Sequence, residues 1–227
     1  MIISHRHKFI FIKTEKTAGT SVEIALSQFC GDEDVITPVT PEDEAIRRTA
    51  GARGPQNYLI PLKAYTPKDW ARLALRRRRA CFFNHASAQF IRDHIDDECW
   101  RSYFKFCFDR NPWDKVVSWY YWRHPEEPRP TLTEFVRSGK ADTIRSFDLY
   151  TIDGTVVVDR VCRFENLEQE MEELARIIGL PEPPELPTAK AGYRANRNGY
   201  RDILSQRDRA GIANAYAREI AHLGYEW

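Results

Sequence analysis

The chain is short of the features that mark several large classes of protein. Its five cysteines, Cys30, Cys81, Cys99, Cys107 and Cys162, are odd in number and none pairs with another as C-x-x-C. That excludes a disulfide framework or a thiolate zinc site and reads as reduced, mostly buried thiols in a cytosolic protein. Apolar runs such as Phe9 to Ile12 and Val156 to Val158 fall far below the roughly 18 residues of a membrane span, and no signal-peptide core follows Met1. A surplus of one charge is missing as well: 34 lysines and arginines stand against 33 aspartates and glutamates, for a net charge of +1. No whole-chain field points to nucleic acid or to an anionic membrane, so any anion must be met locally. His5, His7, His94, His124 and His222 fit no metal-binding spacing, and no metal is expected. These absences lead to the expectation of a soluble, cytoplasmic protein with neither a nucleic-acid nor a membrane partner.

What is present is an ordinary globular composition, 42% hydrophobic, 30% charged and 12% aromatic. At 227 residues the chain should bury roughly 70 to 75% of its unfolded surface without staples, as one domain over 1–227. Residues 8 to 13 (KFIFIK) read as a strand running into the polar loop TEKTAGTS, and Val22, Ala25, Leu26 and Phe29 then form a helical stripe ending near Gly31. Residues 32–79 are irregular and Pro-rich, with a helix around Pro67 to Leu75 ending in Arg76, Arg77, Arg78 and Arg79. This segment is read as an insertion or lid near the acceptor side. Ala80 to Phe83 reads as a second strand, leading through Asn84 and His85 into a helix carrying Phe90, Ile91 and Ile95. YFKFCFD (103 to 109) reads as a third, with Asn111 as cap, Pro112 at the first helical position, and Trp113, Val116, Val117, Tyr120 and Tyr121 as the apolar face. VVVDRVCRFE (156 to 165) follows an Asp153-Gly154 turn. Asn166 and Gln169 resemble a capping box for a helix with Leu167, Met171, Leu174 and Ile178, stopped by Gly179 and Pro181. A final helix is expected from about Ser205 to His222. Strands alternating with helices predict an α/β fold, a parallel β-sheet flanked by helices on both faces, with ligands at the carboxyl ends of its strands.

The chemistry gathers at those ends. The loop from Lys13 to Ser21 collects hydroxyls, Gly19 and Lys16 at a helix N-terminus, where free N–H groups and the helix dipole favour a phosphate. It is not a Walker A loop: the Gly139-Lys140 pair is followed by Ala141 rather than Ser or Thr, which disfavours ATP with magnesium. Arg110, at the end of the third strand, offers a permanently charged fork for a second phosphate, with Ser118 on the helix that follows. A salt bridge from Arg110 to Asp109 or Asp114, and a solvated hydroxyl at Ser118, are the structural alternatives. His85 is expected on the same sheet edge, where a neutral imidazole can take a proton from a hydroxyl.

KTEKTAGTSVE and FDRNPWDKVVSWY together resemble the two cofactor signatures of sulfotransferases that use 3′-phosphoadenosine 5′-phosphosulfate (PAPS). The resemblance is best to the carbohydrate branch, in the manner of heparan sulfate 2-O-sulfotransferases, and it extends more weakly to Asp159 through Gly179, GYRDIL and LGYEW. It implies the sulfotransferase fold with its P-loop-like sheet. In this likeness Lys13, Lys16, Thr17, Ala18, Gly19, Thr20 and Ser21 hold the 5′-phosphosulfate, while Arg110 and Ser118 hold the 3′-phosphate. Arg197 and Arg201 close over that phosphate, and the product is 3′-phosphoadenosine 5′-phosphate (PAP). The implied reaction is in-line sulfuryl transfer to a hydroxyl acceptor, a carbohydrate or other small molecule and an acidic one if Arg76 to Arg79 line its groove. His85 serves as base and Lys16 steadies the leaving phosphate. Glu15 stands where the family commonly has a proline, and the membrane anchor of the Golgi enzymes is missing, which implies a cytosolic acceptor. The rivals are a phosphotransferase with a degenerate loop and a non-catalytic polyanion-binding protein built on Arg76 to Arg79.

Overall fold

The structure, a computed structural model, describes residues 1–187 and 199–227. Strands β1 (Ile2–Ser4), β2 (Phe9–Ile12), β3 (Val35–Ile36), β4 (Phe104–Asp109) and β7 (Arg160–Arg163) form a five-stranded sheet in the order β3-β1-β2-β4-β7, while β5 (Thr151–Ile152) and β6 (Thr155–Val156) pair separately. The helices before β4 are α1 (Gly19–Ser27), α2 (Pro41–Thr49), α3 (Pro67–Arg76), α4 (Ala88–Arg92) and α5 (Asp97–Ser102). Those after it are α6 (Pro112–Arg123), α7 (Leu132–Arg137), α8 (Phe147–Tyr150), α9 (Leu167–Ile177), α10 (Tyr200–Ile203), α11 (Gln206–Ala215) and α12 (Ala217–Leu223).

The sheet is mixed rather than wholly parallel. β2, β4 and β7 run parallel, whereas β1 is antiparallel to both β2 and β3. The connection from Ser4 to Phe9 is too short for a crossover, so β1 and β2 can only form a hairpin. Alternation along β2 divides the core. Phe9 and Phe11 join Val22, Ala25, Leu26, Phe106, Phe108, Met171 and Leu174 under α1 and α9, while Ile10 and Ile12 join Ala88, Ile91, Leu149 and Tyr150 under α4 and α8. Each such buried Ile or Phe is worth ~1.5–3 kcal/mol.

Four other expectations are corrected. Residues 80–83 do not enter the sheet; Cys81 bridges Leu59, with Ile60 N–H donating to the Ala80 carbonyl (3.1 Å) and Phe82 N–H to Tyr58 (2.7 Å). The 156–165 run is split, because Val157 to Asp159 leave the β5-β6 hairpin before β7 begins. Asn166 caps nothing with its side chain: a single 3-10 turn places it at φ −115°, ψ 31°, away from the extended geometry a cap needs. The last helix breaks at Tyr216, φ −109° and ψ 27°, into α11 and α12. Within 32–79 the sequence reading also missed β3 and α2, although Thr40 caps α2 at Asp43 N–H and Pro41 opens it.

β2 and β4 are neighbours, with Ile12 opposite Cys107, so the chain leaves both at one edge of the sheet. Beneath that edge lies a fully buried carboxylate. Glu23 on α1 binds Lys13 Nζ at 2.8 Å, Arg47 of α2 at 3.3 Å, the amino group of Met1 at 3.1 Å and the Thr37 hydroxyl at 3.1 Å. Burial alone would raise its pKa, but Lys13, the terminal amine and Arg47 outweigh burial and hold it at about 2. Glu23→Gln should cost about 3–5 kcal/mol in urea denaturation, because it strands buried cations. Its folded value lies below the ordinary 4.5, so the contribution is complete above that pH and is lost as pH falls toward 2. The variant's acid-unfolding curve should be correspondingly flatter there.

Candidate active site

The loop after β2 is built by its contacts. The Thr14 hydroxyl donates to the Phe108 carbonyl of β4, and the Thr17 hydroxyl turns back on Thr14 (2.9 Å). Glu15, at the position where the resemblance commonly has proline, clamps the loop to residue 145: its N–H donates to the Arg145 carbonyl (3.1 Å) and its carboxylate accepts the Arg145 N–H (2.8 Å). Lys16 and Ala18 adopt left-handed backbone, φ 62° and 55°, on either side of Thr17, a pattern that lets successive N–H groups converge. α1 then starts with no side-chain cap and no acidic residue in its first turn, so its opening N–H groups and dipole face the cleft uncompensated.

Lys13 runs buried beneath this turn to Glu23, and there the need for Gly19 arises: a Cβ on Gly19 would meet Lys13 Cγ at 2.7 Å and the Thr14 carbonyl at 3.4 Å. Gly19 is thus fixed by the lysine stem below it. Lys16 lies higher, its ammonium 5.1 Å from the Trp122 ring centre and 5.9 Å from that of Trp119; the two indoles stack at 4.8 Å on α6.

A cleft of about 250 Å³ brings together Lys13, Lys16, Thr17, Ala18, Gly19, Thr20, Ser21 and His85. The hydroxyls of Thr20 and Ser21 carry no hydrogen bond to other described residues. His85, at φ 64°, sets its Nδ1 2.9 Å from the Lys13 carbonyl. A carbonyl only accepts, so Nδ1 carries the proton and Nε2 keeps the lone pair. Burial, then the Lys13 charge, lowers its pKa to about 4, so the ring is neutral at physiological pH.

Arg110 lies outside this lining but is hooked to it. Its Nη1 donates to the Lys16 carbonyl (3.1 Å), Nε and Nη2 grip Asp114 (2.9 and 2.6 Å), and its guanidinium sits 4.1 Å over the Phe164 ring. Two of the fork's five N–H groups remain beyond these bonds. The salt bridge anticipated as the structural alternative is therefore formed with Asp114, while Asp109 is held by Lys115, Tyr150 and the Arg110 N–H. Ser118 is half-buried one turn after Asp114, on the same side of α6. Arg201 is exposed, with its guanidinium 5.0 Å from the Tyr200 ring, and it is not part of the cleft; Arg197 lies outside the described residues. The sequence reading missed Thr40, Asp43 and Asn84 as cleft residues. The Thr40-Pro41 start of α2 was a readable helix signal, but nothing local marks Asn84, whose buried Oδ1 has no hydrogen-bond partner among the described residues.

One cleft at this end of the sheet gathers an uncapped helix start, two lysines and a neutral histidine, with the Arg110 fork hooked to its loop. The chain matches the sulfotransferase family over residues 1–226 and belongs to it. It is a transferase of the sulfuryl-transfer class. It is also 37% identical over 100 residues to an uncharacterized protein of Archaeoglobus fulgidus, a match covering 42% of this chain and 83% of that one. No solved structure matches the chain significantly.

Two outcomes follow from the geometry. Gly19→Ala should destabilise the fold by about 1–3 kcal/mol through the displaced Lys13 stem, measured by urea titration. In NMR titration His85 should show a pKa about 4 rather than the ordinary 6.5. Between those values the unfolded chain binds a proton that the folded one does not, so this group lowers stability as pH falls from 6.5 toward 4. His85→Asn should remove that part of the acid sensitivity.

Proposed function

We propose that this protein transfers the sulfuryl group of PAPS to a hydroxyl of a carbohydrate acceptor in the cytoplasm, as a small single-domain member of the carbohydrate branch. The observation that carries the reading is the sharing of one cleft by the Lys13 to Ser21 loop and His85. The cleft suits an anionic cofactor: α1 is uncapped, its first turn holds no acid, and Lys16 and Ala18 turn the backbone into a nest. PAPS, when bound, supplies the activated sulfuryl group.

The chain's own residues do the rest. Thr17 to Ser21 receive the 5′-phosphate through backbone N–H groups and the hydroxyls of Thr20 and Ser21. Lys16 adds positive charge where the leaving oxygen develops its own. The remaining N–H groups of Arg110, with the Ser118 hydroxyl, address the 3′-phosphate, sharing the fork with Asp114. His85 Nε2 accepts the acceptor's hydroxyl proton, and the Lys13 carbonyl fixes the tautomer that allows it. The unpartnered Asn84 Oδ1 and the Trp119-Trp122 stack supply a hydrogen-bond acceptor and a flat apolar wall, the combination that holds a sugar ring. Thr40 and Asp43 line the same cleft, which supports the reading of 32–79 as its acceptor-side lid.

Calorimetric titration with PAP and with ADP in one buffer tests the cofactor without an acceptor. PAP should bind at least about 100-fold more tightly, through charge-assisted contacts to the 3′-phosphate, and Arg110→Ala should remove most of that preference. Equal or tighter binding of ADP would point to a phosphotransferase instead, and binding of neither would refute both readings. With carbohydrate acceptors supplied, Lys16→Ala should lower turnover by about 10² to 10³. His85→Gln should lower it by about 10² to 10⁴ with little change in PAP affinity.

A further inference from the structure

We propose that residues 59–83, centred on α3, form a docking surface for an anionic lipid bilayer. Seven large hydrophobic side chains are exposed among the described residues, and five of them, Leu59, Leu62, Trp70, Leu75 and Phe83, belong to this short stretch. Leu75 is the extreme case at 84% exposure. The same stretch carries Lys63, Lys68, Arg72 and Arg76 to Arg79 against a single acid, Asp69. That acid is turned inward, its Oδ2 2.8 Å from His94 Nε2 and bonded to the Thr66 N–H at 3.0 Å, so it neutralises nothing at the surface. Seven of the chain's 34 lysines and arginines lie here; Asp93 shares the groove beside Lys68 and Arg72, while Arg76 to Arg79 line neither of the grooves that hold these acids.

The helix itself stands proud of the molecule. Asp69 is the one buried residue of α3, with Leu73 packed partly against the core behind it. The Leu59-Cys81 bridge and the Arg79 bond to the Ile60 carbonyl (3.4 Å) close the stretch on itself, so α3 is presented from a fixed base. Lys68, Arg72, Leu75 and Arg76 fall at i, i+4, i+7 and i+8, which sets an exposed leucine among three cations. Apolar side chains ringed by lysine and arginine are what an interfacial helix needs: the apolar groups enter the headgroup boundary while the cations meet anionic lipid. A soluble polyanion would use the arginines and leave the exposed Leu75 among them without a role. Whole-chain charge and run length, which led to the expectation of no membrane partner, do not register a local surface of this kind. No described helix is long and apolar enough to cross a membrane, so contact of this sort is with one face only.

Flotation of the full chain with vesicles of phosphatidylcholine, alone or mixed with phosphatidylglycerol, tests the proposal. Binding should appear only with phosphatidylglycerol. Leu75→Ser should weaken it by roughly tenfold, and the double variant Arg76→Ser with Arg78→Ser by about fivefold per arginine. These side chains are exposed, and unchanged circular-dichroism melts should accompany the loss. No preference for phosphatidylglycerol vesicles would overturn the proposal. So would vesicle binding that Leu75→Ser leaves intact while heparin or RNA competes it away, since that outcome identifies a polyanion site.

Discussion

The buried carboxylate of Glu23 is the constraint on which the site depends. A buried carboxylate stays charged only when cations and hydrogen bonds offset its lost hydration, and the cations that reach Glu23 come from the end of β2 and from α2, with the terminal amine as a further partner. Satisfying it pulls Lys13 under the loop, and the path of that stem excludes any side chain at residue 19. The resulting turn puts left-handed backbone at Lys16 and Ala18 and delivers α1 with no side-chain cap and no acid in its first turn. A charge requirement inside the protein thus shapes an anion-receptive surface outside it.

The same logic separates the two lysines of the loop. Lys13 is 2% exposed and committed to Glu23, so it acts on the cleft as a fixed field and as the carbonyl that orients His85. Lys16 stands over the stacked indoles and lines the cleft itself. Arg110 couples the two halves of the site by gripping the Lys16 carbonyl with one edge of its fork and Asp114 with the other. The Arg110 fork is therefore held in position and shared with a carboxylate.

Much of this was legible in the sequence because it is local. The strand-loop-helix of residues 9–27 and the Asp109 to Arg123 unit follow from short apolar runs, a glycine, a capping asparagine and a proline at the first helical turn, all signals within a few residues of one another. The 80–83 run was misassigned because four apolar residues announce a strand without naming its partner, and Tyr58 and Ile60 took it before the sheet could. The Asn166 cap failed because the preceding 3-10 turn, set by packing, removed the extended backbone that the motif assumes. α2 was overlooked because its proline was read as irregularity, although together with Thr40 and the acids that follow it opens a helix.

The sequence by itself determined the reactive inventory and its place on the chain: a phosphate-receptive loop after a strand, an arginine after the next parallel strand, and a histidine near a helix start. These properties reside in residue types and spacings, and the physics behind them acts over one or two turns of chain. Only the tertiary structure decided which inventory members meet and in what electrical state. It buried Lys13 and Arg47 against Glu23, hooked Arg110 to the Lys16 carbonyl, brought Thr40 and Asp43 into one cleft with His85, and lowered the His85 pKa by desolvation. Those outcomes arise from burial and from contacts such as Arg110 with Lys16, made across most of a hundred residues, which have no counterpart in the linear order of the chain.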